Sequence, residues 1–210
     1  MFIVISEILS IFANSSHILN AASSNGNDGI QINAEYLISD IDGMHSEYVV
    51  IAKNTSGKDL SVKACFEALS ADNDPVKVVS DEALAVKNGQ SFILYGQFKN
   101  DDIEDAASYS YKLTSDITDD CKYDCVNIDT TSDEDGVLTV SGINYSSENI
   151  SLVNVRCVFF KDGAPVFFDH VNLGDGAYTF RSGSSNTQEL GMLHPDYDNY
   201  VLTYQVSGDM

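Results

Sequence analysis

Val50-Ile51-Ala52-Lys53-Asn54-Thr55-Ser56 leads through Leu60-Ser61-Val62 to Asp72-Asn73-Asp74-Pro75-Val76, and 90 residues later Val140-Ser141-Gly142-Ile143-Asn144-Tyr145-Ser146 leads through Ile150-Ser151-Leu152 to Asp162-Gly163-Ala164-Pro165-Val166. Val50/Val140, Asn54/Asn144, Ser56/Ser146, Ser61/Ser151, Asp72/Asp162, Pro75/Pro165 and Val76/Val166 are identical without a gap. Leu60/Ile150, Val62/Leu152 and Leu69/Phe159 match in character. A fixed period is the mark of a duplicated supersecondary unit. The unit reads as strand, polar Asn-x-Ser turn, long apolar strand, Asp-containing turn, then Pro-Val opening the next strand.

Outward from this pair of segments, short alternating or apolar runs are broken by Gly, Asn and Asp, and no helical periodicity lasts beyond about two turns. The runs predict strands at 30–37, 48–53, 60–69, 76–79, 83–86, 92–98 and 109–114 in the first half. In the second half they fall at 125–130, 137–143, 150–160, 166–171, 178–180, 189–193 and 200–206. Asp42-Gly43, Asn88-Gly89, Asp135-Gly136, Asp162-Gly163 and Asp175-Gly176 offer positive φ between strands, and a short helical turn is expected at 101–106. The expected fold is all-β, with two consecutive antiparallel immunoglobulin-like β-sandwich domains at 27–117 and 118–210.

Residues 1–26 read as a truncated signal segment and linker. Met1 to Phe12 is mostly apolar, Ala13-Asn14-Ser15 supplies small residues, and 14–29 has the Ser, Asn and Gly content of a linker. The apolar run is too short to span a bilayer as a helix, and no later segment is long enough.

The 210 residues carry 11 Lys and Arg against 32 Asp and Glu, a net charge of −21 shared by both halves. Such a surface repels phosphate backbones and anionic lipid headgroups, which argues against nucleic-acid binding. Among four cysteines, Cys65 and Cys157 lie in apolar strands as small hydrophobes, and only Cys121 and Cys125 are close enough to suggest a local disulfide.

The second half resembles the FxLYD-type repeat domains of bacterial envelope proteins. The likeness rests on Val155-Arg156-Cys157-Val158-Phe159-Phe160-Lys161-Asp162-Gly163 and on the aromatic last strand Asp198-Asn199-Tyr200-Val201-Leu202-Thr203-Tyr204. The first half is similar in outline, with Phe66-Glu67-Ala68-Leu69 in place of the aromatic pair and Asp72-Asn73-Asp74 without the glycine. The resemblance implies a tandem immunoglobulin-like architecture on an exported or lipid-anchored protein, and it brings no catalytic residues with it.

No chemistry-bearing motif stands out. There is no Gly-x-Ser-x-Gly elbow, and Arg181-Ser182-Gly183-Ser184-Ser185 reads as a loop. His17, His45, His170 and His194 are isolated, without metal-ligand spacing. Cys121-Lys122-Tyr123-Asp124-Cys125 fits neither a zinc ribbon nor a redox motif.

Acidic clusters occur at Asp72-Asn73-Asp74, Asp101-Asp102-Ile103-Glu104-Asp105, Asp116 with Asp119-Asp120, and Asp133-Glu134-Asp135. They read first as solvated loops. If calcium is bound, Asp116, Asp119, Asp120 and Asp124 at the junction are the expected ligands. Tyr123, Tyr145, Tyr178, Tyr197 and Tyr200 are the candidates for a sugar-binding platform, against the ordinary alternative of core packing. The sequons at Asn14, Asn54, Asn144 and Asn149 mark surface sites or, in a bacterium, polar turns.

The expected function is therefore a non-catalytic binding or scaffold module of the cell envelope or secretome, with a protein or cell-wall glycan as partner and no catalytic, cofactor or metal residues assigned. A carbohydrate-binding module and a calcium-braced adhesion-type pair are the alternatives, and a small glycan hydrolase stands further back.

Overall fold

The computed structural model describes residues 29–133, 136–193 and 195–208. Residues 1–26, expected to be a signal segment and linker, lie outside the described residues with Asn14 and His17, as do Glu134, Asp135 and His194.

The fold is all-β and antiparallel. The first half holds β1 (Ile30–Ser39), β2 (His45–Asn54), β3 (Leu60–Leu69), β4 (Pro75–Val86), β5 (Ser91–Lys99) and β6 (Ser108–Ile117). The second holds β7 (Val126–Ser132), β8 (Leu138–Asn144), β9 (Leu152–Lys161), β10 (Ala164–Gly174), β11 (Ser185–Leu190) and β12 (Asn199–Ser207). They pair as β1-β2-β5 and β4-β3-β6, then in the same order as β7-β8-β11 and β10-β9-β12.

Two of the fourteen expected strands merge and one does not form. The runs 76–79 and 83–86 belong to the single strand β4. Residues 178–180 contribute only isolated bridges, Asp175 to Tyr178 and Ile150 to Phe180. The expected helical turn near 101–106 is a 3-10 turn at Asn100–Ile103.

Side-chain alternation explains how the sheets stack. Tyr48, Val50 and Ala52 of β2 face Val62, Ala64, Phe66 and Ala68 of β3 in one core, and Val153, Val155, Cys157 and Phe159 of β9 face Leu138 and Val140 of β8 in another. The alternate residues of β2 and β9 are also buried. Ile38, Val49, Ile51 and Ile93 pack on Val158, Phe160 and Phe168 in a third apolar layer. The sheet β1-β2-β5 thus lies face to face with β10-β9-β12, and β2 and β9 are covered on both sides.

The gapless 90-residue match needs a correction. It holds up to Leu60/Ile150, which sit in equivalent places, since Leu60 pairs with Val86 and Ile150 with Phe180. Beyond them the inward residues Val62, Ala64, Phe66 and Ala68 correspond to Val153, Val155, Cys157 and Phe159, an offset one residue longer. Ser151 is the extra residue, and one inserted residue turns every following side chain to the other face. Ser61/Ser151, Val62/Leu152 and Leu69/Phe159 are therefore matches in sequence but not in place. The tighter turn after β9 restores the register at Pro75/Pro165. There Asp162 and Gly163 both take positive φ, at 50° and 80°, and in the longer first-half turn Asn73, φ 64°, supplies the left-handed residue without a glycine. Gly176, expected at positive φ, does not adopt it.

The shared Asn-x-Ser turn is a buried tether. Asn54 Nδ2 donates to the carbonyls of Lys58 and Val86 at 2.8 and 3.0 Å, while its Oδ1 accepts from Ser56 N and Oγ. Asn144 repeats this with Glu148 and Phe180, both at 2.9 Å, and with Ser146. Both asparagines are fully buried, so these two sequons are not surface sites.

Candidate functional site

Both β2 and β9 carry charged or polar residues where a doubly covered strand would be apolar throughout. On β9 these are Asn154 and Arg156, and Arg156 crosses from the second half to the first. Its guanidinium bonds Asp81 through Nη1 at 2.5 Å and Nη2 at 2.9 Å, and Nη1 also donates to the Ile93 carbonyl at 2.7 Å. Nε donates to Asn154 Oδ1 at 2.7 Å, and the group lies 5.1 Å from the Tyr95 ring centroid. Arg156 is 7% exposed, so the pair is a desolvated, bidentate link. Gln205 extends it, accepting from Leu84 N at 2.7 Å, and Gln90 Nε2 donates to the Tyr204 carbonyl.

On β2 the buried charged residue is Glu47, 3% exposed, and beside it the two halves leave a cleft of about 390 Å³. Asp40, Glu47, Tyr95 and Gln97 line it from the first half, and Phe167, Phe168, Asp169, His170, Glu189 and Met192 are among those lining it from the second. Glu47 Oε1 accepts from Gln97 Nε2 at 3.2 Å, whereas Glu47 Oε2 and Asp40 Oδ1 are buried without a hydrogen-bond partner. Burial pushes the Glu47 carboxyl up to about 7, against the Gln97 hydrogen bond and with added repulsion from Asp40 and Asp42.

Across the cleft Asp169 is raised by burial, although the amides of Gly191 and His170 donate to it at 2.9 and 2.8 Å and pull the other way. His170 is lowered by burial and by the Arg156 charge, and its Nε2 lies 2.9 Å from Tyr95 Oη. A buried acid near neutrality beside imidazole and phenol groups can exchange protons or hold a cation.

None of this cleft was assigned from the sequence. His45 and His170 are isolated in sequence but not in space. His170 joins Tyr95 only because the two halves meet, and His45 Nδ1 bonds Asp42 Oδ2 at 2.6 Å in the β1–β2 turn. With Asp40 they form the group among the described residues whose ligand atoms all lie within 4.8 Å of one another. The available signal was a lone acid inside an apolar run, Glu47 before Tyr48-Val49-Val50-Ile51-Ala52, and a lone base, Arg156, inside another.

The residues expected from the sequence are scattered. Asp124 is paired to Lys87 Nζ at 2.5 Å, Asp120 accepts from Ser207 Oγ, and Asp116 stands opposite Ser61 on β6. The expected calcium ligands Asp116, Asp119, Asp120 and Asp124 thus do not gather into one ligand group among the described residues. Cys121 and Cys125 are free thiols, as are Cys65 and Cys157, so the suggested local disulfide is absent. Of the five tyrosines, Tyr197 and Tyr200 pack against the second core and Tyr123 stacks on Tyr204 at 4.4 Å, leaving Tyr145 and Tyr178 exposed. Among the described residues no helix is long and apolar enough to cross a membrane.

No protein-family model and no curated protein sequence matches the chain. Among solved structures, 86% of it is similar to part of a red sea bream transglutaminase, at 9% identity and a TM-score of 0.29. Similar too are the C-terminal globular domain of an oligosaccharyltransferase from Pyrococcus abyssi, over 85% of the chain at 12% identity and TM-score 0.21, and a β-glucuronidase from glycoside hydrolase family 2, over 80% at 10% identity and TM-score 0.18. The chain spans 29%, 46% and 20% of those three chains, respectively. At these TM-scores the likenesses carry no argument, and its function is read from its own residues.

Proposed function

We propose that residues 27–117 and 118–210 are two immunoglobulin-like sandwich units in tandem, acting as a rigid, non-catalytic binding or scaffold module of a secreted or cell-surface protein. The pairing supports the fold reading, because β1-β2-β5 and β3-β6 follow the A-B-E and C-F order of such a sandwich, with β4 on the edge of the second sheet beside β3. The observation that carries the functional reading is the seam. Beaded domains on flexible linkers meet through small polar contacts, whereas these halves share an apolar layer and a buried ion pair. That construction holds loops and clefts of both halves in one fixed geometry, which suits recognition of a protein or cell-wall glycan partner.

Residual dipolar couplings from the ¹⁵N-labelled chain test the rigidity. Both halves are expected to fit one alignment tensor, and two distinct tensors would overturn the reading. Turnover of glycoside, ester or peptide substrates that is abolished by Glu47→Gln would overturn the non-catalytic part.

A further inference from the structure

We propose that the cleft between the halves receives the guanidinium or ammonium group of a basic side chain presented by a partner polypeptide, with Glu47, Asp40 and Asp169 as its counter-charges. This rests on the binding-module reading and names the chemistry of what is bound.

Four carboxylates, Asp40, Glu47, Asp169 and Glu189, line one cleft, and the strongest cation near them, Arg156, is already committed to Asp81. Acidic residues together are not enough. The independent observation is Glu47, a nearly fully buried acid lining the cleft with Oε2 unsatisfied, where buried polar atoms are as a rule paired. A terminal carboxylate torsion is soft, so the Glu47 carboxylate can turn as a unit to present Oε2 to a donor.

The walls decide what kind of donor fits. Tyr95, Phe167 and Phe168 give aromatic surface, and Met192 and Leu193, exposed by 62% and 53%, give an apolar rim. Such walls suit the aliphatic stem and delocalised charge of a basic side chain. A small divalent ion would need several oxygens converging within about 2.6 Å. Glu47 and Asp169 stand outside the ligand group formed by Asp40, Asp42 and His45 among the described residues, and Asp42 and His45 are bonded to each other.

The test titrates the ¹⁵N-labelled full chain at low salt with acetyl-Gly-Arg-Gly-amide, the same peptide with citrulline, and calcium chloride. Saturable shifts at the amides of Glu47, Tyr95, Gln97 and Asp169 to Val171 are expected with the arginine peptide, with about tenfold weaker binding of the citrulline peptide. Glu47→Gln is expected to weaken the arginine peptide by about tenfold, and Asp40→Asn, on the cleft rim, in the same direction, with melting temperatures showing that both variants fold. Non-saturating shifts, equal binding of the citrulline peptide, or calcium saturating the same amides in place of the peptide would each overturn the proposal. Peptide failure with a single alignment tensor leaves the rigid-module reading standing, whereas two tensors remove that reading whatever the peptide does.

Discussion

Replacing Glu47 with glutamine deletes one ionisation at the seam while keeping the side chain's length and shape. Burial raises the folded-state carboxyl from 4.5 to about 7, so the folded chain holds that proton more tightly than the unfolded chain does. The stability it contributes is complete below about pH 4.5 and is lost as pH rises through about 7, flattening above. At 1.36 kcal/mol per pH unit, the wild-type chain gives up about 3 kcal/mol over that window, and the glutamine variant does not. His170 and Asp169 also titrate abnormally, but they do so in both proteins and cancel in the difference. For a chain of this size, about 3 kcal/mol corresponds to a melting-temperature gain of roughly 6–12 °C for Glu47→Gln at pH 8, vanishing near pH 4. Differential scanning fluorimetry from pH 4 to 9 reads it directly. Parallel curves for the two proteins, or a Glu47 carboxyl that titrates near 4.5 by ¹³C NMR, would refute the reasoning.

Arg156→Met leaves the largely desolvated Asp81 with the Tyr95 amide but without its counter-charge and is expected to cost about 3 kcal/mol in urea unfolding, with a smaller loss for the double variant Arg156→Met, Asp81→Leu. Asn54→Ala and Asn144→Ala each remove two hydrogen bonds from a buried amide, to the Lys58 and Val86 carbonyls and to the Glu148 and Phe180 carbonyls respectively, so each should lose about 2 kcal/mol, and the two losses should be similar. Cys157 is fully buried and its thiol is held well above the ordinary range by burial, so a thiol reagent at pH 8 should modify Cys157 only after urea is added, as peptide mass spectrometry would show.

The strands were legible because alternation and turn residues are local signals. The run 60–69 coincides with β3, and the Asn-x-Ser spacing marks two turns that use the same hydrogen bonds. The inserted Ser151 was not legible, since a bulge changes which face a side chain takes without disturbing an apolar run in which both faces are buried. The cleft was hidden for a related reason. Glu47 and His170 are 123 residues apart in sequence, and Tyr95 meets His170 only after β5 and β10 pack across the seam. A lone acid in a strand is uninformative until both faces of that strand are known to be covered.

The two halves do not meet through equivalent faces. The first offers β1-β2-β5 and the second β10-β9-β12, whose counterpart in the first half is β4-β3-β6. The relation is head-to-tail, not a dyad, and a head-to-tail contact has no built-in closure: each end of the stack displays the kind of sheet that the next copy would dock on. Growth is stopped by side chains. Where the seam sets Ile51 against Ile93 and Val49 against Tyr95, the corresponding cross-strand pairs on the outer sheet are Ser141 with Thr187 and Thr139 with Glu189. At the other end β3 turns Lys63 and Glu67 outward, where β9 has Asn154 and Val158. The two halves thus stack with polar outer faces, and replacing those few hydroxyl and charged residues with branched aliphatics is expected to promote end-to-end association of chains.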